Sequence, residues 1–231
     1  MLKKPKIVVI IPAYNEENSI AKVITHIPPG LVQEVIVVNN NSNDATDANA
    51  RNAGATVLHE PRSGYGYACL KGIEYIKRLQ PEPDIVVFID ADFSDHPEEM
   101  PLLVQPILTK GIDMVIGSRA LGNKQKGSMT IPQIFGNWLA TRLMKIIYGV
   151  RYTDLGPFRA IRYDKLCAMN MQDTTFGWTV EMQLKAAKLN FTVMEVPVSY
   201  RKRIGFSKIS GTVKGTVLAG YKIITTIFKY R

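Results

Sequence analysis

Two aspartates one residue apart, Asp90 and Asp92, close the apolar run Ile85-Val-Val-Phe-Ile89. Five apolar residues entered from Pro83-Asp84 read as a strand buried on both faces. Its C-terminal end is the rim at which α/β sheets bind ligands. A carboxylate pair held there needs a partner, and a hard divalent cation that also grips phosphate oxygens suits this spacing. The competing reading is an acidic turn that caps the next helix.

Other residues fall at the same rim. Pro12-Ala13-Tyr14-Asn15-Glu16 follows the first apolar strand. The Tyr14 ring offers a platform for a nucleotide base, and Glu16 can accept from a ribose or base donor. Asn39 and Asn40 follow the second strand, where amides can read the imide edge of a base or simply shape a turn. Arg62-Ser63-Gly64-Tyr65-Gly66 precedes a helix, so a guanidinium and helix N–H groups converge in a way that suits an anion. Taken one by one these are ordinary connections. Gathered on one edge of a parallel sheet, they call for a nucleotide held through a metal-bridged diphosphate.

The elements that must position them alternate. Strands are expected at Lys6–Ile11, Glu34–Val38, Ala55–Leu58, Ile85–Ile89 and Met114–Gly117. Helices are expected at Glu17–Ile27, after an N-cap at Asp44, at Gly64–Leu79 and from Pro97 onward. This is the pattern of a doubly wound, mainly parallel sheet. The second half is less regular: a polar basic loop from Lys124 to Thr130, helices at Ile134–Tyr148 and Thr179–Leu189, and a strand within Phe191–Tyr200. From Thr212 the chain reads as an amphipathic helix with Val213, Val217, Gly220, Ile224 and Phe228 on one face. That helix either lies in a membrane interface or packs on the protein's own core. Lys214, Lys222 and Lys229 interrupt it too often for a membrane span.

Composition narrows the function classes. Apolar content of 46% and charged content of 21% fit a folded globular chain, and 231 residues suit one domain. Cys69 and Cys167 have no metal spacing and point to a reducing, cytoplasmic compartment. The apolar run Ile7–Ile11 stops at Pro12, too short for a signal sequence. The net charge of +9 is uneven: no acid follows Glu195, while eight bases do, leaving 21 bases against 20 acids before it. This argues against nucleic acid and for a local anionic target, either phosphate groups or a membrane surface.

Val8–Glu16, Val37-Val38 with its polar turn, and Asp90-Ala91-Asp92 with Ser94 and His96-Pro97 together resemble the family 2 glycosyltransferases. The polyprenyl- (dolichol-) phosphate sugar synthases are the most similar subgroup. Gly117-Ser118-Arg119, Thr153–Arg159, Gly177–Met182, Glu195–Val198 and Arg203–Lys208 extend the likeness over about Lys6 to Gly211. It implies a GT-A fold, a nucleotide-sugar donor, Mg2+ or Mn2+, and inversion at the anomeric carbon. Matched by motif, Pro12, Tyr14, Glu16, Val38, Asn39 and Asn40 would contact the nucleoside. Asp90, Ala91 and Asp92 would lie at ribose and diphosphate, with Asp92 the firmest metal ligand. Arg119, Arg159, Arg203 and Lys208 would meet phosphates of donor or acceptor. Asn39 and Asn40 stand where relatives commonly carry two acids, and Lys124 or Lys126 stands where an arginine is expected.

The implied organisation is a nucleotide-sugar half over residues 1–120, an acceptor half over 121–211 and a basic amphipathic helix over 212–231. The expected reaction moves a hexose from a UDP- or GDP-sugar to an acceptor, foremost a polyprenyl phosphate at the cytoplasmic membrane face. A lipid phosphate is already anionic, whereas a hydroxyl acceptor would need a general base, either Asp154 or Glu181. A soluble hydroxyl acceptor, a sugar nucleotidyltransferase and a non-catalytic nucleotide-binding subunit are the rival readings. The second of these wants a glycine-rich loop after the first strand, which Pro12–Glu16 is not.

Overall fold

The computed structural model describes residues 4–205 and 213–230. Seven strands form one sheet in the order β3-β2-β1-β4-β6-β5-β7: β1 (Ile7–Ala13), β2 (Glu34–Asn39), β3 (Thr56–His59), β4 (Ile85–Phe88), β5 (Met114–Ser118), β6 (Arg159–Arg162) and β7 (Val193–Pro197). All pairings are parallel except those of β6, which runs antiparallel between β4 and β5. The first half thus follows the expected alternation, with boundaries shifted by up to three residues.

The continuous apolar runs explain the layering. Successive strand residues face opposite sides. Ile7, Val9 and Ile11 of β1 join one core cluster with Ile85 and Val87 of β4, while Val8, Ile10, Val86 and Phe88 join the other. The first cluster is covered by α1 (Ile20–Thr25), α2 (Thr46–Asn52) and α4 (Met100–Lys110). The second is covered by α3 (Tyr65–Ile76), α6 (Tyr163–Met169) and α7 (Trp178–Lys188). The α6 helix was not expected. Its seven residues follow β6 directly and bury Tyr163, Leu166 and Met169, a pattern too short to stand out as periodic.

Two further helices, α5 (Ile131–Tyr148) and α8 (Val213–Lys229), pack outside α7. A capping box opens α5: Thr130 accepts from the Gln133 N–H, and Gln133 reaches back to the Thr130 N–H. Gly149 closes it in the left-handed region at φ 71°. A third apolar cluster joins Ala140 and Met144 of α5, Val180 and Leu184 of α7, and Ile227 of α8.

The α8 helix therefore packs on the protein, but with a different face from the one its apolar residues suggest. Ile223, Thr226, Ile227 and Tyr230 turn inward, whereas Val217 and Phe228 are exposed. Polar ties choose the inner face. Lys222 pairs with Asp173 at 3.0 Å, and Tyr230 Oη donates to Glu181 at 2.6 Å. Lys188 Nζ donates to the Tyr230 carbonyl at 2.9 Å.

Candidate active site

The chain reverses direction of crossover on either side of β1, with β2 and β4 as its neighbours. The loops after β1 and β4 accordingly meet at a topological switch point. Tyr14 projects there and is exposed, while Pro12, Val38 and Ala91 are buried in the floor. Glu16 is buried and accepts from Ser19 Oγ at 2.9 Å.

The carboxylate pair occupies the centre. Asp92 is buried, and its Oδ1 accepts from the Ser94 N–H at 2.9 Å and the Ser94 hydroxyl at 2.5 Å. Its Oδ2 meets Arg203 Nη2 at 2.5 Å, and the same guanidinium lies 3.8 Å from Glu16. Asp90 accepts from the Tyr65 hydroxyl at 3.0 Å. Burial, and then the neighbouring Asp92 charge, push the Asp90 carboxyl up to about 6. A buried carboxyl raised by a neighbouring carboxylate in this way marks a site that a divalent cation relieves. Asp90, Asp92 and the Ser94 hydroxyl fit that group. Among the described residues no three His, Cys, Asp or Glu side chains assemble a complete cage. A cation held here would need further ligands from a bound molecule or water.

The Asp90 shift gives a signed expectation. Without a cation, protonated Asp90 is favoured in the folded state. Its contribution to stability is present below the ordinary carboxylate range near 4 and is lost as pH rises through about 6. Cation affinity runs the other way, requiring the carboxylate and weakening roughly tenfold per pH unit below about 6. Mn2+ titration by calorimetry between pH 5 and 8 measures it. Tyr65→Phe removes a donor to the carboxylate and should move the inflection to higher pH; no movement would mean that the hydroxyl does not orient Asp90.

A strap from Tyr200 to Ile204 lies along this loop. The Arg201 N–H donates to the Ser94 carbonyl and the Ile204 N–H to the Asp92 carbonyl, each at 2.9 Å. The Arg201 guanidinium stacks 3.7 Å over the Phe93 ring. The strap also binds the basic loop: the Gln125 N–H donates to the Tyr200 carbonyl at 2.8 Å, and Gln125 Oε1 accepts from the Lys202 N–H at 2.8 Å. Asp95 is buried beside Tyr200 with neither carboxylate oxygen hydrogen-bonded, and burial drives its carboxyl well up.

Several expected roles change. Asn40 does not offer its amide to a base: Nδ2 donates to the carbonyls of Glu60 and Arg62, and Oδ1 accepts from the Gly64 N–H. Asn39 Oδ1 accepts from the Ser42 N–H. Both amides order loops. Arg62 is paired with Glu60 at 2.7 Å and stacked over Tyr67, facing solvent. The glycines after it serve close packing instead of an anion, since a Cβ at Gly66 would stand 2.0 Å from the Asp173 carbonyl. The Tyr67 N–H of that first turn is taken by the Thr174 carbonyl.

The two candidate bases are also committed. Asp154 is buried and accepts three bonds from Arg119: from its N–H at 2.7 Å, Nε at 2.8 Å and Nη2 at 2.7 Å. Burial opposes the charge on Asp154, but Arg119 outweighs it and holds the carboxyl below its ordinary range. Gly156 packs against the Gly117 carbonyl and the Asp154 side chain. Glu181 is fully buried and accepts from the N–H groups of Gln172 and Asp173 and from Tyr230, with Lys185 at 2.7 Å. Arg159 is likewise committed to internal partners. It is buried, donating to the carbonyls of Leu155, Gly156 and Thr179, and burial pulls it down to about 10. Lys208 lies outside the described residues.

Sequence reasoning missed Tyr65, Asp95 and Arg201 as neighbours of the pair. Three bases in a row at Arg201-Lys202-Arg203 carried the available signal for the strap.

Comparison with known proteins gives a consistent picture. The model of the family described as Glycosyl transferase family 2 matches residues 8–168. An uncharacterised glycosyltransferase of Mycobacterium tuberculosis (strain ATCC 25618 / H37Rv) is 35% identical over 217 residues, covering 92% of this chain and 94% of the relative. The undecaprenyl-phosphate mannosyltransferase of Micrococcus luteus is 30% identical over 222 residues, covering 91% and 90%. Among solved structures, glucosyl-3-phosphoglycerate synthase from Mycobacterium tuberculosis, in complex with Mn2+, UDP-glucose and phosphoglyceric acid, superposes with a TM-score of 0.77 at 25% identity. That match covers 98% of this chain and 79% of the other.

Proposed function

Because the chain belongs to glycosyl transferase family 2, we propose that it moves a hexose from a nucleoside diphosphate sugar to a polyprenyl phosphate, with Mg2+ or Mn2+ and with inversion at the anomeric carbon. The observation that carries the acceptor is the state of the two candidate bases. Asp154 is saturated by Arg119, and Glu181 is saturated by Tyr230, Lys185 and two N–H groups. Asp95, the unpaired carboxyl nearby, is driven toward its neutral form by burial. A hydroxyl acceptor needs an ionised base that is free to take its proton. A phosphate oxygen is already ionised and needs none. The mannosyltransferase relative names such an acceptor, undecaprenyl phosphate.

The roles of the chain's residues follow from their positions. Tyr14 would stack on the base, and Asp90 and Asp92, with the Ser94 hydroxyl beside them, would hold the cation at the diphosphate. The cation supplies neutralisation of charge on the leaving nucleoside diphosphate. Arg203, which rests on Asp92, would be free to meet phosphate if Asp92 held a cation. Arg119 is held rigid by Asp154 at the acceptor side, where a fixed guanidinium favours a phosphate dianion. The working location is the cytoplasmic membrane face.

Assays with UDP- and GDP-sugars, each offered a short-chain polyprenyl phosphate, the matching polyprenol or phosphoglycerate, test the proposal. Metal-dependent transfer to the phosphate is expected, with the alcohol at least about a hundredfold slower in kcat/KM. Equal use of the alcohol, or a preference for phosphoglycerate, would overturn the lipid-phosphate acceptor. The nucleotide that raises the melting temperature in the presence of Mn2+ identifies the base.

A further inference from the structure

Most of the large apolar side chains left exposed in this protein sit on two neighbouring helices. Ile131, Ile134, Phe135 and Trp138 occupy the first turns of α5 at i, i+3, i+4 and i+7, so they share one face. Ile131 is 83% exposed and Trp138 58%. On α8, Val217, Leu218 and Tyr221 are exposed in the same manner, with Phe228 two turns on. These faces lie opposite the inward residues Ala140, Met144 and Ile227 that fasten both helices to α7. Soluble monomers rarely leave apolar patches of this extent uncovered.

The charge around the patch is of one sign. No acid occurs between Asp113 and Asp154, nor after Glu195. Lys124, Lys126, Arg142 and Lys145 are exposed, and among the described residues none is paired with a carboxylate. No described helix is long and apolar enough to cross a membrane. An apolar stripe flanked by unpaired bases, on a helix that cannot span, suits the interfacial layer of an anionic bilayer. A second copy of the chain suits it poorly, since two-fold pairing of this face brings the same bases together.

We propose that the outer faces of α5 and α8 form a platform that docks the protein on an anionic lipid surface. Phe135 and Trp138 enter the interfacial layer while the bases meet headgroups. This deepens the lipid-phosphate reading above and rests on it for its purpose. The platform is built into the site. Asn137, beside Trp138, donates from Nδ2 to the Thr153 carbonyl at 3.0 Å and accepts from the Leu155 N–H at 2.8 Å, bracketing Asp154. The loop that leads into α5 is bonded to the strap carrying Arg203. Docking this face therefore sets Arg119 and Arg203 next to the headgroup layer, where a membrane-borne phosphate ends.

The two tryptophans provide the readout, because Trp138 is exposed and Trp178 is 1% exposed in the core. Vesicles containing phosphatidylglycerol should shift Trp138 emission to the blue and carry the full chain down on sedimentation, whereas pure phosphatidylcholine should do so more weakly. Replacing Ile134 and Phe135 together by serine should weaken vesicle partitioning by about tenfold or more. Trp178 emission and the thermal shift caused by Mn2+ with UDP should stay unchanged, showing that the fold and donor site persist. No blue shift for the wild-type chain would overturn the platform. So would a wild-type dimer that the serine variant dissociates, which would assign the face to a second copy. Vesicle binding without turnover of any prenyl phosphate would leave the platform standing and remove the acceptor reading. Turnover of a soluble short-chain prenyl phosphate without vesicle binding would do the reverse.

Discussion

Asp92→Asn lowers kcat by on the order of a thousandfold while leaving the protein folded. Asparagine keeps the volume, and its amide oxygen can still accept from the Ser94 N–H that Asp92 binds at 2.9 Å. What it loses is charge, and two consequences follow. The cation keeps only Asp90 as a charged ligand, and Arg203 is released from the 2.5 Å contact that places it over the pair. Charge on the leaving diphosphate is then poorly met, and that is the largest electrostatic task in the reaction. Loss should appear in kcat more than in KM for the sugar nucleotide, because the substitution leaves the proposed base platform at Tyr14 and the buried floor untouched. The Asp90 carboxyl should drop in the variant, since the Asp92 charge is one cause of its elevation. A variant that keeps more than a tenth of wild-type turnover, or a wild-type enzyme that works with its metal chelated, would sink the role given to the pair.

The placement of that pair was legible in the sequence for a simple reason. A strand buried on both faces is a continuous apolar run, and its end is marked by the first charged residue. Ile85 to Asp92 shows this without any knowledge of neighbours. The alternation of strands and helices in the first half followed from the same runs. Side-chain commitments were not legible, because they depend on partners far along the chain. Asn40 is spent on Glu60, Arg62 and Gly64; Asp154 on Arg119; Glu181 on Tyr230. Each of these groups has chemistry that suits a ligand, and each has found an internal partner instead. The antiparallel β6 was hidden likewise, since Arg159 interrupts the apolar pattern at its start and is buried for its bonds to carbonyls. On α8, periodicity marked an apolar face but could not say which side of the helix meets the core, and Val217 and Phe228 of that face are exposed. Polar anchors such as Lys222 to Asp173 carry no such signature.

These commitments also explain why truncating the last helix is a poor test of membrane contact. Removing α8 strips Ile227 from the third apolar cluster and leaves Glu181 without its Tyr230 donor. A loss of vesicle binding would then report damage to the α5–α7 packing as readily as the loss of a membrane-facing helix. Substitutions confined to exposed α5 residues avoid that confusion.

Asp154→Ala destabilises the protein by about 3–5 kcal/mol and abolishes transfer, yet for a reason other than loss of a base. The side chains of Arg119 and Asp154 are 12% and 1% exposed and are joined bidentately. Removing the acid strands a guanidinium in a poorly solvated place, and the cost is that of the uncompensated charge. The double variant Arg119→Met with Asp154→Leu removes both charges and should recover most of the stability in urea denaturation. Activity should not return, because the guanidinium proposed to meet phosphate is gone. A pure base role predicts a different pattern: Asp154→Asn would stay stable and inactive, and strong nucleophiles such as azide would restore transfer. Acid provides an independent check. Arg119 holds the Asp154 carboxyl below its ordinary range, so the pair's stability is present above the usual carboxylate value near 4 and is lost as pH falls beneath it. In the double variant that acid-labile component should vanish. An Asp154→Ala protein within about 1 kcal/mol of wild type would show that the pair is solvated and that Arg119 is not held for phosphate by this aspartate.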